Sequence, residues 1–200
     1  MMVNLIEKHI ILGSQSPRRS QLLSELGLKF EVIVRETDEV VDALLKPIDV
    51  VRSIAEKKAA AFLNDFEHAL IITADTIVVT LGQDILGKPK NKEEAFKVLK
   101  MLSGTVHEVI TAVCILNNQT LTTFSESTEV EFYPLSDEEI NFYIDEFQPM
   151  DKAGSYGIQE WIGRIGIKSI KGEYTNVVGL PTARLYQELK KIAAHKKGEL

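Results

Sequence analysis

Residues 70–89, LIITADTIVVTLGQDILGKP, constrain this chain more than any other stretch. The first half is a continuous apolar run rich in β-branched residues, the pattern of a strand buried on both faces. One carboxylate, Asp75, interrupts it. An ionised carboxylate inside such a strand is costly unless a cation, a metal or hydrogen bonds compensate it. Asp75 is therefore either a structural acid with a fixed partner or a working acid in a site. Gly87-Lys88-Pro89 follows as a turn that carries a lysine back toward the same end of the sheet. An acid and a lysine delivered by one hairpin suggest handling of an anion through a metal.

Composition bounds what that anion can be. Two hundred residues, 44% of them hydrophobic, are enough to fill a sizeable core. A net charge of −6 argues against nucleic acid as a partner. Any anionic substrate must then be gripped by a local cluster of Lys and Arg. The single cysteine, Cys114, lies in an apolar run and reads as a buried thiol in a reducing compartment. The opening residues MMVNLIEKHIILGS carry no secretory pattern, and no apolar run approaches the ~20 residues of a membrane span. The expectation is a soluble, cytoplasmic protein.

Residues 9–14 (HIILGS) read as a short buried strand. Ser16-Pro17 then opens a helix that Gly27 closes. Arg18 and Arg19 stand in the first turn, where each cation opposes the helix dipole by about a few tenths of a kcal/mol. Either they are a solvated pair, or an anion sits there, held by backbone N–H groups and both guanidinium groups. Residues 28–35 alternate as a half-buried strand and lead into the acidic loop Glu36-Thr37-Asp38-Glu39, a set of oxygen donors that solvated loops share. Residues 47–66 predict a helix whose apolar stripe contains Val51, Ile54, Ala55, Ala59 and Phe62. Lys58 falls within that stripe, as a snorkelling lysine or one aimed inward at the site.

The second half continues with a capping-box-like helix start at Asn91 and Glu94, a long strand over 106–116 and an extended segment over 120–134. His107, near the strand start, reads as a structural hydrogen-bonding group. Ser136 and Glu139 open another helix. Residues 151–174 are punctuated by glycine and predict loops and short strands, and Pro181 begins a last helix. Together these elements predict an α/β fold: a mixed central β-sheet flanked by helices, forming one domain over residues 1–200, with a cleft between two lobes.

SQSPRR (14–19), ADTIVV (74–79), GKP (87–89), SGTVHEVIT (103–111), KAGSYGIQ (152–159) and NVVGLP (176–181) together resemble the Maf family of nucleoside triphosphate pyrophosphatases, in that family's order. The resemblance implies a Maf-like fold related to inosine triphosphate pyrophosphatases, a divalent cation (Mg²⁺ or Mn²⁺), a homodimer, and hydrolysis of a nucleoside triphosphate to its monophosphate and pyrophosphate. It makes Asp75 the proton acceptor. It gives Ser14, Arg18, Arg19, Lys58 and Lys88 to substrate binding, and Glu39 with Asp75 to the metal. GIQ at Gly157 to Gln159 resembles the branch that prefers dTTP and UTP, with Gln159 and Thr76 at positions that choose the base. Two departures stand out: Glu160-Trp161 where many relatives have glycine, and Glu173 where serine is common.

The chemistry agrees with the residues. Cleavage between the α- and β-phosphates needs an attacking water, charge stabilisation at phosphorus and a stabilised leaving group. Asp75 either helps hold the metal or takes the water's proton directly. The alternatives are a broad house-cleaning pyrophosphatase for modified nucleotides and a nucleotide-binding regulator of cell division. A P-loop enzyme is excluded, because G-x-x-x-x-G-K-[ST] does not occur.

Overall fold

The structure is a computed structural model that describes residues 8–38, 45–66 and 68–195. Its strands, among the described residues, are β1 (Ile10–Leu12), β2 (Glu31–Val32), β3 (Leu70–Thr80), β4 (Ile85–Leu86), β5 (Val106–Asn117), β6 (Thr120–Phe132) and β7 (Ile167–Lys171). They form one sheet in the order β2-β1-β3-β5-β6-β7, with β4 paired to β3. The sheet is mixed: β1 runs parallel to β2 and β3, while β3–β4 and β6–β7 are antiparallel. Helices α1 (Pro17–Glu25), α2 (Pro47–Ala60), α3 (Lys92–Leu102), α4 (Asp137–Phe147), α5 (Trp161–Gly166), α6 (Tyr174–Val178) and α7 (Thr182–His195) complete an α/β fold with a central sheet.

The chain divides into two compact units. One draws on residues 1–75, 111–126 and 179–200, the other on 76–110 and 127–178. In the first, the apolar run predicted as a doubly buried strand is β3, with Leu70, Ile71, Ile72 and Ala74 fully or almost fully buried. The α2 stripe of Val51, Ile54, Ala55 and Ala59 is buried as the periodicity requires, and Phe62 follows it in the next turn. The buried Thr73 hydroxyl donates to the Ala55 carbonyl at 2.8 Å, so α2 and β3 are pinned together. Gly13 has its own reason to be glycine. A Cβ there would stand 2.8 Å from the Thr73 methyl group and 3.1 Å from the Phe62 ring.

The second unit packs Val78, Leu99, Leu102, Val109, Phe132, Ile140, Tyr143, Ile144, Tyr156, Ile158 and Ile162 into one core. Ser136 and Glu139 make the full reciprocal capping box at the start of α4. The start of α3 differs in one bond. Asn91 caps the Glu94 N–H, but the Glu94 carboxylate accepts from Lys90 N and not from Asn91.

Two expectations need correction. The alternating segment 28–35 yields only β2, two residues long and exposed, with Val32 and Val34 in solvent. Its neighbour among the described residues, β1, has three residues, so the ladder that would extend it is short. Residues 151–174 hold α5 and the start of α6 as well as turns and β7. The glycines there do not all break structure. Gly163 lies inside α5 because a Cβ would collide with the Ile158 carbonyl oxygen at 1.8 Å.

Candidate active site

The parallel register of β1 and β3 builds one part of the site. Leu12 pairs with Ile72, and Gly13 N–H donates to the Ile72 carbonyl at 2.8 Å. Continuing that register sets Ser14 level with Ala74, one residue before Asp75. Ligands in α/β sheets gather beyond the carboxyl ends of parallel strands, and here the chain leaves β1 directly into the start of α1. Ser16 is the N-cap with Pro17 at the first helical position, yet the Ser16 side chain does not cap the helix and the first turn holds no acid. It holds Arg18 and Arg19, both half-buried. An anion at this helix start would meet the positive end of the dipole and two guanidinium groups.

Arg19 is anchored on both sides. Its Nε donates to the Gly179 carbonyl at 2.8 Å, and Nη1 donates to Ser14 Oγ at 3.2 Å. Gly179 has φ of +125°, a conformation that favours glycine. The NVVGLP segment therefore holds an arginine of the SQSPRR segment, though some 160 residues separate them.

Asp75 sits on β3 with a fixed partner. Lys58 Nζ of α2 stands 2.8 Å from Asp75 Oδ1, and the two side chains are 19% and 17% exposed. Lys58 therefore turns to a carboxylate of the sheet and does not snorkel to solvent. The pair is one of two rungs between the same elements. Thr73 and Asp75 lie two apart on the strand, and Ala55 and Lys58 lie three apart on the helix, so each pair shares a face. The Thr73–Ala55 hydrogen bond and the Asp75–Lys58 ion pair thus fix the carboxylate from the side and leave Oδ2 outside the pair. Sequence reading missed Thr73. Its signal was its place two residues before Asp75 in an otherwise apolar run.

In the other unit, Thr76 follows on β3 and is half-buried. The hairpin register Val78↔Leu86 turns the chain back along β3, so Lys88, two residues past Leu86, runs back toward the level of Thr76 and is exposed. The turn is supported by Gly154, whose N–H donates to the Gly87 carbonyl at 3.2 Å. Gly154 has φ of +68°, and a Cβ there would meet Val78 Cγ2 at 2.7 Å. Gln159 lies five residues on, with its Oε1 buried and without a hydrogen-bond partner among the described residues. A buried amide oxygen left open costs stability unless a ligand uses it.

Around Gln159 the sequence marked Glu160 as a departure but not the network that holds it. Tyr143 OH accepts from Gly157 N–H at 2.9 Å and donates to Glu160 Oε2, while Lys152 Nζ is 3.3 Å from Glu160 Oε1 and 2.7 Å from Asp151. Burial, reinforced by the Glu160 carboxylate, pushes the Tyr143 hydroxyl well above its ordinary pKa, so it stays a neutral donor. His107 is structural, as expected: its Nε2 meets Tyr156 OH at 2.8 Å, and burial lowers its pKa to about 4. Glu173 meets Thr128 through its backbone.

No three His, Cys, Asp or Glu side chains cluster among the described residues. Glu39 lies outside the described residues. Mg²⁺ keeps several waters and takes one or two carboxylates together with substrate phosphates. Asp75, a half-buried carboxylate, supplies one donor of that pattern.

The fold is α/β with a central mixed sheet, and the comparisons supply its family. The chain belongs to the Maf family: the model of that family, described as Maf-like protein, matches residues 9–192. It is 52% identical to a dTTP/UTP pyrophosphatase of Phocaeicola vulgatus, over 96% of this chain and 100% of that one. It is 48% identical to a dTTP/UTP pyrophosphatase of Bacillus cereus, over 92% of this chain and 95% of that one. Among solved structures, the Staphylococcus aureus Ham1 protein superposes with a TM-score of 0.51 at 15% identity, covering 90% of this chain and 100% of that one, a likeness of fold.

Proposed function

We propose that this chain hydrolyses nucleoside triphosphates, dTTP and UTP foremost, to the monophosphate and pyrophosphate. The observation that carries the proposal is the Asp75–Lys58 pair at 2.8 Å on β3 and α2, at the end of the sheet where β1 feeds Arg18 and Arg19 into the start of α1. The names of the relatives support the same reaction. Asp75 Oδ2, outside the ion pair, accepts the proton of the attacking water. Arg18, Arg19 and Lys58 neutralise the triphosphate, with Arg19 held in place by Ser14 and Gly179; Lys88 has its substrate-binding role from the family resemblance. A bound Mg²⁺ or Mn²⁺, carried by Asp75 and Glu39, would supply further charge neutralisation at the phosphate oxygens.

Base choice rests on Gln159. Uracil and thymine present an N3–H donor beside an O4 acceptor, and the open Oε1 of Gln159 is an acceptor suited to N3–H. The family resemblance adds Thr76 as a second residue that chooses the base. The family resemblance supports a homodimer. The buried, unpaired thiol of Cys114 suits the reducing cytoplasm, and among the described residues no helix is long and apolar enough to cross a membrane.

The test is kcat/KM for dTTP, UTP, CTP and 7-methyl-GTP with Mg²⁺ or Mn²⁺, for wild type and Gln159→Ala. The expected result is that dTTP and UTP lead, and that their advantage over CTP shrinks about tenfold or more in the variant. A wild type that favours CTP or 7-methyl-GTP, or ratios that do not move, contradicts the assignment.

A further inference from the structure

An amide that reads uracil can also read cytosine. Flipped, its nitrogen donates to cytosine N3 and its oxygen accepts from the N4 amino group. Gln159 discriminates only if something fixes which end of the amide faces the base. We infer that Glu160 does so, acting as a positioning residue for base selection; the inference rests on the reading of this chain as a uracil- and thymine-preferring pyrophosphatase.

Gly157 lies beneath both side chains. A Cβ built there would lie 2.9 Å from Gln159 Nε2 and 2.8 and 2.9 Å from Glu160 Cδ and Oε2. Only glycine leaves room for both side chains to fold over this one backbone position. Both crowd the space over Gly157 with a definite polarity: the amide nitrogen is the end of Gln159 that shares this space with the carboxylate, and Oε1 is the end buried without a hydrogen-bond partner among the described residues. A carboxylate is acceptor-only, so it favours the amide's N–H end and repels its oxygen. The bias turns Oε1 away from Glu160 and presents an acceptor, which matches N3–H of uracil and thymine and faces a lone pair in cytosine.

The carboxylate can impose that bias because it is itself immobile. Lys152 Nζ, with a side chain 9% exposed, holds Oε1 of Glu160 at 3.3 Å, and the Tyr143 hydroxyl donates to Oε2. Tyr143 uses its one proton on Glu160 and its lone pair on Gly157 N–H, so the tyrosine ties the carboxylate to the backbone of the very loop it orients. Glu160 N–H donates to the Gly157 carbonyl at 2.9 Å and closes the turn. The network runs from Gly157 through Tyr143 and Glu160 to Lys152.

The experiment compares the UTP-to-CTP ratio of kcat/KM in wild type, Glu160→Gln, Glu160→Gly and Tyr143→Phe, with unfolding midpoints measured in parallel. UTP and CTP share a sugar and a triphosphate, so the ratio reports the base alone. In Glu160→Gln the charge disappears at nearly constant shape, Lys152 keeps Asp151, and the ratio falls about tenfold, mainly through faster turnover of CTP. Glu160→Gly removes the carboxylate at a helix N-cap that tolerates glycine and lowers the ratio likewise. Tyr143→Phe removes one of the two groups that hold the carboxylate but leaves Lys152 on it, so it lowers the midpoint and lowers the ratio only about threefold, less than the Glu160 variants do. The inference is overturned if both Glu160 variants keep the wild-type ratio, or if Tyr143→Phe lowers it as much as they do, since a loose loop would then be the cause. A wild type with no preference for UTP would instead defeat the underlying assignment of substrate.

Discussion

At the scale of single residues, the site works by removing freedom from charged groups. Lys58 and Asp75 hold each other at 2.8 Å, and Arg19 is pinned by Ser14 and the Gly179 carbonyl. Arg18 shares the first turn of α1 with no acid beside it in that turn. Its expected role is phosphate binding, so Arg18→Ala should lower kcat/KM for dTTP about tenfold to a hundredfold, chiefly by raising KM. Steady-state kinetics check this, and unchanged triphosphate kinetics would make it a surface arginine. Asp75, Lys58 and both arginines were legible in the sequence because each breaks a local rule: an acid in an apolar strand, a lysine in an apolar stripe, cations at a helix start. Glu160 stands out only as a departure from relatives that have glycine there, and Tyr143 and Lys152 break no rule at all. The three come from separate places in the chain, and neither spacing nor periodicity announces that their side chains meet.

At the scale of elements, β3 and α2 position the acid through two parallel rungs. The Thr73 hydroxyl is the one nearer the core, donating to the Ala55 carbonyl at 2.8 Å. Thr73→Val keeps the shape and removes the donor. The expected cost is about 1 kcal/mol of stability, read by denaturant titration. The same variant should lose kcat several-fold, because the strand no longer registers against the helix that carries Lys58. Full activity in a destabilised variant would show that the ion pair alone sets the geometry. Long, strongly periodic elements such as α2, β3 and β5 were readable before the structure. Elements set by neighbours were not. The alternation of 28–35 is real, but a sheet edge with one short partner strand supports only Glu31–Val32. Six residues of α5 are too few to display a 3.6-residue period through two glycines, and Gly163 is dictated by the Ile158 carbonyl, which sequence cannot show.

At the scale of the whole molecule, His107 makes stability depend on pH. It is buried on β5, stacked on Phe132 with ring centroids 5.6 Å apart and edge-on to Tyr156 at 5.5 Å. Burial lowers its pKa from the ordinary 6.5 to about 4, so the folded state binds fewer protons than the unfolded chain between those values. A depressed folded pKa gives stability that is fully present above pH 6.5 and is lost as pH falls toward 4, on the order of 3 kcal/mol in all. Unfolding midpoints followed from pH 7 to about 4.5 should therefore fall more steeply for wild type than for His107→Gln. Parallel slopes would remove His107 from the account.

The central claim is that Asp75 drives cleavage between the α- and β-phosphates. The most direct measurement is product analysis of dTTP hydrolysis by phosphorus NMR, for wild type and Asp75→Asn at matched concentration. Asparagine keeps a carbonyl oxygen for Lys58, so the fold should survive, as circular dichroism will report. The account predicts dTMP and pyrophosphate in equal amounts from wild type, with kcat lowered about a hundredfold or more in the variant. Release of inorganic phosphate with dTDP, or near-normal turnover by a well-folded Asp75→Asn protein, would contradict it.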